Sequence, residues 1–227
     1  EIFKSPETST HEYLLEFGFS AKVMDRFFKP FFAGIFLESD LRTSSRMFEF
    51  VYKMFGEGYA TIPKSGIGEI SKQLKGKLHH TKFIFNREVE EVTNESISIR
   101  SGEKITHQGV IVASNTSSLR SSLKSRETEW KGCMCLYFEV DQTNIPVNTI
   151  ALISESGNYA NNPYAYEDLN TGKTILSVTS LKYGESPMDE FIDTIIAEVK
   201  KYTGATQVSY IHHYLIKQAL PDIRNLR

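Results

Sequence analysis

A glycine turn near the middle of the chain has the residue types that could most directly hold a ligand. Residues 66–71, GIGEIS, follow the pattern Gly-x-Gly-x-x-Gly with serine in the last place, and Glu88 follows at about the spacing of a ribose-binding carboxylate. Such a turn brings a helix N-terminus close to a phosphate. Because Pro63 shortens the extended stretch before it, the pattern equally fits a glycine turn that approaches backbone or another cofactor.

Other catalytic and metal-binding patterns are weak. The histidine pairs at 79–80 and 212–213 are adjacent, so on a strand they point to opposite faces and form no chelate. Cys133 and Cys135 point to one face of a predicted strand, where a disulfide would be strained and two thiols are too few for a closed zinc site. Residues 154–157, SESG, lack the first glycine of a nucleophile elbow. We predict no metal, reduced cysteines and no assignable catalytic residue.

Composition excludes several classes of function. The chain has 227 residues, of which 40% are hydrophobic and 24% charged, as in an ordinary globular protein. Lys and Arg (26) are outnumbered by Asp and Glu (28), so we predict no nucleic-acid partner. The longest apolar run, 31–37, is far shorter than the ~20 residues of a membrane span. We expect a cytoplasmic protein and, because the chain opens with Glu1, the interior of a longer one.

The first third reads as helices rich in phenylalanine. The N-cap candidates are Ser9 or Thr10, Ser20, and Ser44 or Ser45. Pro30 is expected to stop the second helix and Gly56 the third. Eleven of the fifteen phenylalanines precede residue 56, which indicates an aromatic core between helices or a wall for a large apolar substrate. Both interpretations can hold at once.

The remainder reads as strands with one or two helices. Middle strands are predicted at 59–62, 82–86, 89–93, 96–100 and 104–106, and later ones at 133–140, 149–154, 174–179 and 208–216. A short helix passes through Ile70 and Leu74. Residues 109–113, GVIVA, are apolar on both faces and predict a buried parallel strand. Ser186 caps the clearest helix, with Pro187 in first position and Gly204 after its end. The fold class is mixed, α+β.

The order of four segments resembles FAD-dependent phytoene desaturase and amine oxidase type enzymes. Residues 62–74, IPKSGIGEISKQL, are similar to the family's Pro-x-Gly-Gly-Met segment. A strand at 83–85 follows, and 86–92, NREVEEV, resemble Asn-x-x-Val-x-x-Ile. Residues 110–113, VIVA, resemble the Val-Ile-x-Ala strand that follows the family's β-meander, and 213–221 its last substrate-domain strand.

The sequence also differs from the family's motifs, and these differences determine what we expect of the chain. Ser65 replaces the first glycine of the pair and Ile67 the methionine, and the family's N-terminal glycine fingerprint and C-terminal Gly-Asp segment are absent. We therefore expect an interior fragment. The resemblance implies substrate-domain helices at 1–60, a partial FAD-binding domain with β-meander and strand at 61–115, and a substrate-domain sheet and helix at 116–227.

The resemblance also implies a chemistry. It predicts a flavin-dependent oxidoreductase in which FAD takes a hydride from a C–H bond of a small apolar or amine substrate. By the same resemblance, Val89 would meet the adenine end of FAD, Ala113 and Ser114 would lie near the adenosine, and Gly66 near the flavin. The fragment alone is expected to be inactive and without FAD. Unpaired strand edges, as at 109–113, offer a route to self-association.

Two other functions remain open from the sequence. One is a non-enzymatic binding domain, an aromatic-lined carrier for a lipid or isoprenoid. The other is a nucleotide-binding domain built on residues 66–71. Within the enzyme hypothesis, a polyene, an amine and a porphyrinogen all remain possible substrates.

Overall fold

The chain folds into two compact units. The structure, a computed structural model, describes residues 2–114, 119–121 and 128–224. Unit 1 contains Glu1–Gly58 and Thr128–Arg227, and unit 2 is Tyr59–Glu127. Both mix helices with strands, which confirms the predicted α+β class. In the described ranges, no helix is long and apolar enough to cross a bilayer.

Six α-helices and nine strands are described, along with a short 3-10 helix at Ile2–Lys4 and a π-helix at Met24–Phe28. The α-helices are α1 Thr10–Glu16, α2 Ala21–Val23, α3 Lys29–Phe36, α4 Ser45–Glu57, α5 Gly68–Gly76 and α6 Met188–Thr203. The strands are β1 Val89–Val92, β2 Ser96–Ile99, β3 Lys104–Thr106, β4 Arg120–Ser121, β5 Trp130–Val140, β6 Thr149–Ile150, β7 Asn161–Glu167, β8 Thr174–Ser180 and β9 Val208–Pro221.

Three serines begin helices α1, α2 and α4, as predicted. Ser9 accepts from the backbone N–H of Glu12, whose carboxylate accepts from the Ser9 N–H in return, which makes a full capping box. Ser20 accepts from the N–H of Val23, and Ser44 from that of Arg46. Local hydrogen bonding therefore sets where each helix begins.

Pro30 does not stop the second helix, so that prediction was wrong. The turn before it, Met24–Phe28, widens to a π-helix in which the Lys29 N–H donates to the Met24 carbonyl five residues back. Pro30 then lies in the first turn of α3, where a missing N–H costs little. The helix ends only at Phe36, before Leu37 in a left-handed conformation.

The phenylalanines of these helices form a core, which confirms that interpretation of them. The buried cluster is Leu14, Met24, Phe28, Phe32, Phe36, Leu41 and Phe48. Most of their ring contacts are tilted or edge-on, for example that of Phe32 and Phe48 with centroids 4.9 Å apart, whereas Phe28 and Phe32 stack. Several other rings stay at the surface, so the aromatic content exceeds what the core uses.

The rest of unit 1 is an antiparallel sheet covered on one face by α6. Its strand order is β6-β7-β8-β5-β9. Along β5, Met134, Leu136 and Phe138 are buried with Ile195 and Val199 of α6, whereas alternate residues point to the opposite face. We call that opposite side the outer face.

Three details of this half differ from prediction. Strand β7 was missed because its Asn-Asn-Pro opening carries no strand signal, and β6 is shorter than the predicted 149–154. Helix α6 begins one position late, with Pro187 rather than Ser186 before it, and it ends at Gly204, which has φ +71° as a left-handed glycine cap.

Unit 2 is a small sheet in the order β3-β2-β1-β4, with β1 parallel to β4. The hairpin at 101–102 is confirmed, with Gly102 at φ +93°. The strands predicted at 59–62, 82–86 and 109–113 do not form. An extended segment becomes a strand only with a hydrogen-bonded neighbour, and none pairs with these segments in the part of unit 2 that is described.

Candidate functional site

The outer face of the five-stranded sheet brings tyrosines from three strands together. Tyr137 of β5 lies opposite Ser177 of β8 and His212 of β9. Tyr164 of β7 also lies opposite Ser177, while Cys135 lies opposite Tyr214. Because directly opposed residues of antiparallel strands share a face, these side chains all belong to one surface.

Ring contacts tie this surface into a patch. Tyr137 and Tyr214 meet edge-on with centroids 6.0 Å apart, and His212 meets Tyr214 edge-on at 4.7 Å. Tyr164 and Tyr166 stack at 5.8 Å. We call these five residues the tyrosine patch. The side chain of Tyr214 is 56% exposed, so the patch presents an open aromatic surface.

Two tyrosines of the patch and the nearby Cys133 have raised pKa values. Burial, with a further contribution from Cys135, raises the pKa of Tyr137, and burial followed by the proximity of Tyr137 raises the pKa of Tyr166. Burial and then Cys135 raise the pKa of Cys133 to about 11. At neutral pH Tyr137 and Tyr166 therefore keep their hydroxyl protons, and Cys133 is a thiol and not a thiolate.

Cysteine and histidine are common metal ligands in proteins. Cys133 and Cys135 are free thiols, the first buried and the second half-buried. Among the residues that the structure describes, no group of three or more His, Cys, Asp or Glu side chains could hold a metal ion.

The predicted cofactor residues all lie in unit 2, on separate segments. Val89 begins β1 opposite Ile99, and a bulge separates it from Glu91. Ala113 and Ser114 lie in irregular backbone after β3, outside any strand. Their contacts with FAD stay predictions.

Gly66 makes the turn expected of it. Its N–H donates to the Pro63 carbonyl at 2.8 Å, and its φ of +91° is a conformation that glycine adopts without strain. Helix α5 follows with no side-chain cap, and no atom lies within 4 Å of where a Cβ of Gly66 or Gly68 would stand. The backbone at this helix start is therefore open to a ligand.

Unit 2 exposes many apolar side chains. Exposed apolar side chains lie on its helix and on its irregular segments: Ile62, Ile67, Leu74, Phe85 and Ile111. Both ring nitrogens of His107 are buried without a hydrogen-bond partner in the described part of the chain. Unit 2 therefore leaves apolar side chains uncovered and buried ring nitrogens unsatisfied within its described part.

The tyrosine patch was not predicted from the sequence as a site. Its signal is the spacing of two between Tyr164 and Tyr166 and between His212 and Tyr214, which puts each pair on one strand face. Which face that is depends on register, and β9 slips against β5 at two bulges.

Comparison with known proteins gives one family and a set of similar folds. The family described as flavin containing amine oxidoreductase matches residues 3–221. Comparison with curated protein sequences gives no significant match.

Several solved structures resemble the chain, of which three are described. A protein from Pyrococcus furiosus is 14% identical with a TM-score of 0.72, covering 95% of this chain and 60% of its own. An oxidoreductase from Methanosarcina mazei is 12% identical with a TM-score of 0.76, covering 97% and 58%. A putrescine oxidase double mutant with redesigned cofactor binding is 13% identical with a TM-score of 0.66, covering 92% and 53%. At these identities the likeness is one of fold, and the chain spans about 60% or less of each relative.

Proposed function

Because the chain belongs to the family of flavin-containing amine oxidoreductases, we propose that it carries the substrate-holding sheet of an enzyme that oxidises a C–H bond of an apolar or amine substrate by hydride transfer to FAD. Within that enzyme, segments 1–60 and 116–227 form the substrate domain and 61–115 completes the FAD domain. The tyrosine patch carries the proposal, since it is a broad aromatic surface that contains no carboxylate.

FAD, when bound, accepts the two electrons and the hydrogen that leave the substrate carbon. The chain's own residues then have three tasks. The rings of Tyr137 and Tyr214 hold the substrate's apolar body and exclude water from it. The neutral hydroxyls donate hydrogen bonds without stabilising a positive charge as a carboxylate would. A neutral amine, which can lose a hydride more readily than an ammonium ion, is therefore favoured at this surface.

In unit 2, the open backbone at Gly66 supports a contact with the flavin, and Val89, Ala113 and Ser114 supply contacts to its adenosine end.

The free thiols of Cys133 and Cys135 suit a reducing compartment, so we propose a cytoplasmic location. Whether the substrate is a phytoene-like polyene or an amine is the finer choice, and the experiment below includes both.

The rival function, a non-enzymatic lipid or isoprenoid carrier, is less favoured because the family match extends over residues 3–221. A domain that binds only a nucleotide through residues 66–71 would leave the tyrosine patch without a role.

The proposal is tested with the longer protein that contains this chain. We expect its purified form to show the visible absorption band of a flavin, and we expect anaerobic addition of a primary amine or a polyene to bleach that band. Tyr214→Leu removes a patch ring and should raise KM about 3- to 10-fold, in line with loss of ~1 kcal/mol of ring contact. A folded but colourless protein would contradict the proposal.

Tyr210→Leu is the matched control. Tyr210 lies on the same strand but opposite Phe138, so it belongs to the face that α6 covers. Its KM should stay at the wild-type value if the patch, rather than β9 as a whole, holds the substrate.

A further inference from the structure

The helices of unit 1 leave an aromatic cleft of about 360 Å³ at the surface. The residues on which the argument depends are Tyr13 and Phe17 near the end of α1, Phe19 after it, and Phe48, Glu49 and Tyr52 of α4. We call this the aromatic cleft. Its volume suits a small organic molecule.

The rings of the cleft offer open faces. Phe48 is buried and forms the floor, with Tyr13 at 5.9 Å and Tyr52 stacked at 5.6 Å between centroids. Phe17 and Phe19 stack at 5.5 Å beside them. Phe17 is 69% exposed and Tyr52 57%, so both can contact a ligand without any rearrangement of the core.

One carboxylate lies among these rings. Glu49 Oε1 accepts from the Tyr13 hydroxyl at 3.1 Å, and Oε2 accepts from the Ser5 hydroxyl at 3.4 Å. Burial and then this carboxylate raise the pKa of Tyr13, which keeps its hydroxyl a donor. Both donors are neutral, so they bring no positive charge to the Glu49 carboxylate.

The basic residue that lines the cleft, Lys53, is engaged elsewhere. Lys53 Nζ pairs with Glu57 at 3.5 Å, one turn along α4. Within the described ranges, Glu49 takes part in no ion pair. A negative charge beside open aromatic faces attracts a cation with an apolar body more than it attracts a neutral or anionic molecule.

We propose that the aromatic cleft binds an organic ammonium ion, primary or quaternary, with its charge at Glu49 and its apolar body against Phe17 and Tyr52. The cleft is built from helices, whereas the tyrosine patch is on the sheet, so this is a second site. It needs neither flavin nor turnover, and its failure would leave the proposed oxidation untouched.

The test is calorimetric titration of the full 227-residue chain with benzyltrimethylammonium, and with benzyl alcohol as its neutral counterpart. We expect the ammonium to bind at least tenfold more tightly than the alcohol. Glu49→Gln should weaken ammonium binding about tenfold, or ~1.4 kcal/mol, and leave alcohol binding unchanged. Tyr52→Leu, which keeps an apolar side chain, should weaken ammonium binding about threefold and alcohol binding less.

Glu190→Gln is the charge-matched control, because Glu190 is exposed in the first turn of α6 and lies outside the cleft. It should bind ammonium as the wild type does. Equal affinity of wild type and Glu49→Gln, or an equal loss in Glu190→Gln, would overturn the proposal. If Glu49→Gln fails to fold, Tyr52→Leu decides: its ring is largely exposed, and unchanged ammonium binding by that variant would also overturn it.

Discussion

Asp141 shows how a single side chain joins two parts of the sheet. It follows β5 and accepts hydrogen bonds from the Thr206 hydroxyl and, at 3.0 Å, from the Gln207 N–H just before β9. The hydroxyl first and the N–H second lower its pKa from the ordinary 3.8 to about 2. The folded state therefore favours the ionised form more than the unfolded chain does.

A lowered carboxyl pKa stabilises the fold above the unfolded value and loses that effect as the pH falls through the folded value. We expect Asp141→Asn to unfold at lower urea than wild type at pH 7, with the gap between the two closing from pH 4 to pH 2. The measurement is the urea midpoint at several pH values. A gap that stays constant over that range would show that the charge of Asp141 does not stabilise the sheet.

The sequence predicted that the two cysteines share a strand face, but it did not predict the shared face of the tyrosines. The same-face spacing of Cys133 and Cys135 follows directly from strand geometry, and the structure places both on the outer face. Tyr164 and Tyr166 also share a face because they lie two residues apart on a strand. That strand, β7, was not predicted, because it begins with Asn-Asn-Pro. The contact of Tyr137 with Tyr214 also depends on pairing between strands that are distant in sequence.

At the scale of elements, the close approach of β5 and β9 depends on Gly132. A Cβ there would stand 2.9 Å from the Ile216 carbonyl oxygen and 3.1 Å from that of Lys217, in the bulged part of the pairing. These are backbone atoms of an adjacent strand, so they cannot move aside as a flexible side chain would.

We therefore expect Gly132→Ala to lower the free energy of unfolding by about 1 to 3 kcal/mol through overpacking. Gly56 in α4 is the matched control. No atom lies within 4 Å of its Cβ position, so Gly56→Ala should raise the free energy of unfolding by about 0.5 to 1 kcal/mol. Chemical denaturation of both variants checks the opposite signs, and a stable Gly132→Ala would mean that the two strands separate easily at the bulge.

Local signals predicted the helices and failed for isolated strands. The capping serines placed α1, α2 and α4 because a helix start is satisfied within one turn. Pro30 was wrongly predicted to end a helix. The π-helix before it, which no local sequence rule predicts, lets Pro30 lie in the first turn of α3. The runs at 82–86 and 109–113 have strand composition, but a strand is defined by its neighbour and not by its own residues.

At the scale of the molecule, the two units differ in how much apolar surface they bury. The core of unit 1 contains two large clusters. In the described part of unit 2, the buried hydrophobic side chains are Val92 and Ile99, whereas Tyr59, Ile67 and Ile111 are exposed. A sheet with so small a core gains little stability from burial. Its exposed apolar side chains favour association with other protein surfaces.

That surface carries our last prediction, the self-association of the chain through unit 2. Ile111 is 93% exposed in an extended apolar run, so Ile111→Lys should shift the chain towards monomer in sedimentation velocity at several concentrations. Leu169→Lys, at a 69% exposed turn of unit 1, adds the same charge and should leave association unchanged. If both variants shift the chain towards monomer equally, the shift comes from the added charge and not from unit 2, which would contradict the prediction. If residues 109–113 instead pack against the rest of the proposed FAD-binding domain, Ile111→Lys in the longer protein should lower its flavin content. Leu169→Lys should not.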